Sequence, residues 1–93
     1  MPVTIYIPGP LRPFSDGLPQ IEIKGSPRTL LDALEELWKK YPGIRDRVLN
    51  EEGQLREHIN IFVGKENVRY LGDFAARLTP DAEISILPAV SGG

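Results

Sequence analysis

Glu83-Ile84-Ser85-Ile86-Leu87-Pro88-Ala89-Val90-Ser91-Gly92-Gly93 joins a strand to a tail with little side chain. Residues 83–87 alternate with period two, placing Ile84 and Ile86 on one face and Leu87 on the other. Pro88-Ala89-Val90 follows, and then Ser91 and two glycines. Glycine has no Cβ and adopts backbone angles closed to other residues, so a diglycine lets a terminal carboxylate thread a narrow site in a partner. Small residues at a chain end also fit a simple frayed terminus. What precedes the tail decides between these readings.

Working back from that strand, Ile59-Asn60-Ile61-Phe62-Val63 is the strongest strand pattern in the chain. Gly64-Lys65-Glu66-Asn67 reads as the turn out of it, into a short return strand Val68-Arg69-Tyr70. Residues 71–78 suit irregular chain or one helical turn, and Thr79-Pro80-Asp81-Ala82 turns into the last strand. At the other end, Val3-Thr4-Ile5-Tyr6-Ile7 puts Val3, Ile5 and Ile7 on one face and Tyr6 on the opposite one. Pro8-Gly9-Pro10-Leu11-Arg12-Pro13 breaks that strand, and Gln20-Ile21-Glu22-Ile23-Lys24 resumes alternation, which predicts a hairpin with a long connection.

Between the two strand groups lies one helix. Thr29 stands three residues before Asp32, a capping-box pattern, and Leu30, Ala33, Leu34, Leu37, Trp38 and Tyr41 recur at helical spacing. Glu35 and Glu36 precede Lys39 and Lys40 by four residues. Pro42-Gly43 is read as the end of this helix, with residues 44–49 adding a short turn. The order β-β-α-β-β-β predicts an α+β domain in which a mixed sheet packs on one main helix.

Composition narrows the chemistry. Ninety-three residues make one small domain, and 11 Lys plus Arg against 13 Asp plus Glu give a net charge of −2. That balance offers no general attraction to nucleic acid or an anionic membrane. No run approaches the ~20 apolar residues of a membrane span, and the N-terminus lacks a secretory pattern, so a cytoplasmic location is expected. Cysteine is absent, which removes disulfides, thiolate metal sites and Cys nucleophiles together.

Few side-chain constellations suggest catalysis. His58 is the only histidine, and without cysteine or a second histidine it completes no typical zinc set, so no metal is expected. Ser15, Ser26 and Ser91 lack a triad. Neither nucleotide-binding glycine motif occurs, so the chain is expected to hold no cofactor of its own, and any nucleotide belongs to a partner. Pro10-Leu11-Arg12-Pro13 fits a P-x-x-P ligand, but reads more simply as the loop that ends the first strand. Tyr6, Phe62 and Leu87 are the outward apolar positions, and they suit either an exposed docking patch or a sheet covered on both faces.

The C-terminal run from Ile84 to Gly93 resembles the ends of ubiquitin-like sulfur carriers of the MoaD and ThiS type, and the element order fits their β-grasp fold. Leu11-Arg12-Pro13, Ile59-Asn60-Ile61-Phe62-Val63 and Asn67-Val68-Arg69 look most like the CysO-type carrier of thiocarboxylate-dependent cysteine synthesis. The resemblance implies a β-grasp domain over residues 1–90 and a flexible tail over 91–93. It further implies that an E1-like enzyme uses ATP to adenylate the Gly93 carboxylate, and that a sulfur donor converts it to a thiocarboxylate. On that analogy Ser91 and Gly92 thread the partner's channel, while Tyr6, Phe62, Leu87 and Val90 dock. The acceptor would be an activated serine derivative on a PLP-dependent cysteine synthase, and a metalloprotease would release cysteine. Related carriers serve molybdopterin, thiamin or tRNA, and a protein modifier joined to targets through Gly93 is the alternative.

Overall fold

The first strand begins where alternation begins. In the computed structural model, which describes residues 2–88, β1 (Val3–Tyr6) sends Val3 and Ile5 inward and leaves Thr4 and Tyr6 on the opposite face. It pairs antiparallel with β2 (Gln20–Ile23), Ile5 lying opposite Ile21. The expected hairpin is therefore present. Its connection is not open loop, because Gly9–Phe14 winds into a 3-10 helix that buries Leu11. That winding leaves Pro10-x-x-Pro13 outside the polyproline conformation a P-x-x-P ligand presents. Ser15 closes the segment from a fully buried position, its Oγ donating to the carbonyls of Leu18 (2.8 Å) and Arg12 (3.2 Å).

Helix α1 (Leu30–Lys40) starts at the predicted cap. The Asp32 amide donates to Thr29 Oγ1 and the Thr29 amide to Asp32 Oδ2, both at 3.3 Å. Leu30, Ala33, Leu34 and Leu37 are buried, with Trp38 and Tyr41 packed half-buried against the core. Pro42 does more than end this helix: it opens a second one, α2 (Pro42–Val48), which buries Ile44 and Val48. Proline suits a first helical position because its fixed φ is already helical and its missing N–H has no partner there anyway. One break signal thus serves as a stop and a start.

The second half departs from expectation at the return strand. β3 (Ile59–Val63) turns through Gly64-Lys65 into β4, which spans only Glu66–Asn67. Gly64 supplies the φ of +61° that this two-residue hairpin uses. Val68–Tyr70, predicted as strand, is instead a 3-10 turn. Asn67 is the cause: its Oδ1 accepts the Arg69 amide at 3.0 Å, offering the backbone a local partner in place of the ladder. The turn then buries Val68. A further 3-10 turn, Asp73–Ala75, lies in the segment read as irregular chain or one helical turn.

β5 (Glu83–Pro88) completes a five-stranded sheet in the order β2-β1-β5-β3-β4. It runs parallel to β1 and antiparallel to β3, so the last strand of the chain lies at the centre of the sheet. The core sits between the inner face and the helices, where Ile5, Leu34, Leu37, Ile61, Ile84 and Ile86 are fully buried. A mixed sheet on one main helix is the architecture that the element order implied.

Candidate functional site

Central placement of β5 has a consequence for its outward residues. Tyr6 lies opposite Ser85 on one side, and Phe62 lies opposite Ser85 on the other. The same row continues to Gln20 on β2 and Asn67 on β4, so five residues cross the whole sheet. Leu87, two residues beyond Ser85, sits on the same face opposite Asn60, whose Oδ1 accepts Asn67 Nδ2 at 3.4 Å. No residue of this outer face is buried, and Leu87 is 45% exposed. Of the two readings of Tyr6, Phe62 and Leu87, the sheet covered on both sides is the one the structure rejects. The three residues converge on one open face around the small side chain of Ser85.

The strand leaves this face between two grooves. One, of about 220 Å³, is lined by Tyr6, Arg12, Gln20, Ser85 and Leu87 among others. The other, of about 170 Å³, includes Leu11, Arg47, His58, Ile59 and Pro88. Arg12 is held by a bond from its Nε to the Ile7 carbonyl at 3.1 Å. Arg47 lies with its Cζ 4.6 Å from the centroid of the Phe14 ring, within cation–π range. The sequence singled out Arg12 only within the Pro-rich loop and the Leu11-Arg12-Pro13 resemblance, and Arg47 not at all, because the fold of Gly9–Phe14 against α2 is what sets both beside the end of β5.

The other singled-out side chains do not assemble. Ser15 is locked into a turn, His58 and Ser26 are exposed at separate places, and among the described residues no three His, Asp or Glu side chains group as metal ligands. Glu35 and Glu36 lie on the exposed face of α1, where Glu36 pairs with Lys39 at 3.2 Å. No helix among the described residues is long and apolar enough to cross a membrane. The remaining residues expected at the site, Val90, Ser91, Gly92 and Gly93, lie outside the described residues.

An open sheet face beside a strand end suits recognition, and comparison with known proteins gives it a lineage. The ThiS family model matches residues 5–93. The sulfur carrier protein CysO of Mycobacterium tuberculosis (strain ATCC 25618 / H37Rv) is 36% identical over 95 aligned positions, covering all of both chains. The crystal structure of the Amycolatopsis orientalis BexX/CysO complex contains a chain that superposes with a TM-score of 0.86 at 36% identity, covering 98% of this chain and 99% of that one. Small archaeal modifier protein 1 of Haloferax volcanii is 32% identical over 74 positions, 80% of this chain and 79% of that protein. The chain belongs to the ThiS family, with the ubiquitin-like fold of the MoaD and ThiS type.

Proposed function

We propose that the protein is a sulfur carrier whose reactive group is the Gly93 carboxylate. A carboxylate is a poor acyl donor, so it must first be activated. In the proposed cycle an E1-like enzyme joins it to the α-phosphate of ATP with loss of pyrophosphate. A sulfur donor then attacks the acyl carbon, AMP leaves, and a thiocarboxylate remains. The chain acts as co-substrate and not as enzyme, and it requires no cysteine because the sulfur resides on its own terminus. The single observation that carries this reading is that the family match runs through Gly93, so likeness to sulfur carriers includes the diglycine end.

The finer steps rest on the likeness to CysO. The proposed acceptor is an activated serine derivative on a PLP-dependent cysteine synthase, with a metalloprotease releasing cysteine afterwards, in the cytoplasm. Tyr6, Phe62, Leu87 and Val90 dock on the partner while Ser91 and Gly92 thread its channel. The test is intact mass spectrometry after incubation with ATP, sulfide and an E1-like enzyme. An oxygen-for-sulfur exchange confined to the last residue is expected, and it should vanish when Gly93 is deleted. Exchange in the deleted form, or none in the intact protein, would reject the carrier reading.

Likeness to a small archaeal modifier protein favours a second use of the same activated end, transfer to a lysine of a target protein. Isopeptide-linked Gly93 in proteins digested from cell extract would support it.

A further inference from the structure

The two grooves beside the end of β5 share two properties: each is lined by a guanidinium with a partner inside the fold, and neither has a carboxylate among its lining residues. Arg12 is tied to the Ile7 carbonyl just past the end of β1, and Arg47 is laid over Phe14. Among the described residues neither has a carboxylate within ion-pair distance. A groove of about 430 Å³ near the start of α1 differs, since Lys24, Arg28 and Lys39 share it with Asp32, Glu35 and Glu36. On a protein of net charge −2, the basic collar around β5 is therefore a local inversion of sign.

Its position limits what it can touch. Leu87 and Pro88 point to opposite faces, so Arg12 flanks the strand end on the open face and Arg47 flanks it on the other. Five residues separate Pro88 from the end of the chain, and an extended chain advances ~3.3–3.6 Å per residue. With the tail threaded into an enzyme, the collar stands roughly 16–18 Å behind the reacting carboxylate. At that distance it is too far back to meet ATP or an acyl adenylate, and what it can meet is the partner's surface around the entering tail.

We propose that Arg12 and Arg47 form a two-sided clamp for carboxylate side chains on the channel rim of the activating enzyme, which registers the strand end before the tail enters. This rests on the carrier reading for the partner's identity. Guanidinium groups already held in place lose little freedom on binding, and their planar donors match carboxylates. The 3-10 segment Gly9–Phe14 is the device that builds the clamp, since it carries Arg12 and also supplies the Phe14 platform for Arg47.

Two measurements separate this clamp from the carrier reading. First, a short polyglutamate peptide is titrated into isotope-labelled protein and followed by NMR. The Arg12 and Arg47 Nε–H signals and the amides of residues 85–87 should shift together and saturably, and the response should disappear in R12Q/R47Q. No shift, or shifts centred on Lys24, Arg28 and Lys39 that persist in the double variant, would overturn the clamp. If R12Q loses its native spectrum for want of the Nε bond, R47Q alone carries the comparison, because Arg47 is an exposed side chain. Second, sulfur transfer by the activating enzyme is measured with R47E. KM for the carrier should rise about tenfold and lose salt dependence, with kcat within about twofold. An unchanged KM overturns the clamp. A wild-type protein that accepts no sulfur overturns the carrier reading instead, and the peptide titration then decides the clamp independently.

Discussion

Leu87 and Ile84 are three residues apart on one strand and face opposite fates. Ile84 is fully buried, whereas Leu87 is 45% exposed on the open face. Replacing Ile84 with Ala should lower stability by ~2–5 kcal/mol through lost contacts and a cavity. Leu87→Asp should stay within ~0.5 kcal/mol of wild type, as exposed substitutions do, while raising the KM of activation. Urea denaturation and sulfur-transfer kinetics on the same pair of variants test both statements; a large stability loss from Leu87→Asp would mean that the outer face is covered. Ser15 gives a third residue-scale test. Its hydroxyl, on a fully buried residue, donates to the Leu18 carbonyl, so Ser15→Ala should cost about 1–3 kcal/mol, again read by urea denaturation.

At the scale of elements, helix α1 is specified by its own sequence. The cap at Thr29 and Asp32 closes reciprocally, so Thr29→Ala should cost about 1 kcal/mol, with the loss of amide protection concentrated in the first turn by hydrogen exchange. The 3-10 segment Gly9–Phe14 depends more on what surrounds it. Leu11 is buried and Phe14 packs close to Gly43, where an added Cβ would lie 3.1 Å from Phe14 Cδ1. Gly43→Ala should therefore displace the Phe14 ring and with it the Arg47 platform. The expected readout is a shifted Arg47 Nε–H resonance with the sheet amides unchanged.

For the whole molecule, the strand that leads into the proposed reactive end lies at the centre of the sheet, the most protected part of the fold. β5 is flanked by a parallel and an antiparallel neighbour, so its amides should exchange only on global unfolding. The anchor is thus rigid up to Pro88. A partner docked on the open face, as proposed, would leave the core undisturbed, because the inward residues of the same strand are fully buried behind it.

Much of this was written in the chain. Alternation located the main strands, capping chemistry located the start of α1, and the diglycine end carried the family likeness, because these are local patterns that need no neighbour to be read. The misreadings were also local in origin. Val68-Arg69-Tyr70 has strand-forming residues, yet a side-chain bond from Asn67 and the burial of Val68 turned it into a 3-10 helix. Pro42 read as a stop but also served as a start. Tertiary structure alone decided that Tyr6, Ser85 and Phe62 share one row, and that Arg12 and Arg47 flank one strand end. Period-two alternation tells which face a residue occupies, but strand order and register determine its neighbours. Those follow from packing the sheet against α1 and α2, a constraint spread over the entire chain.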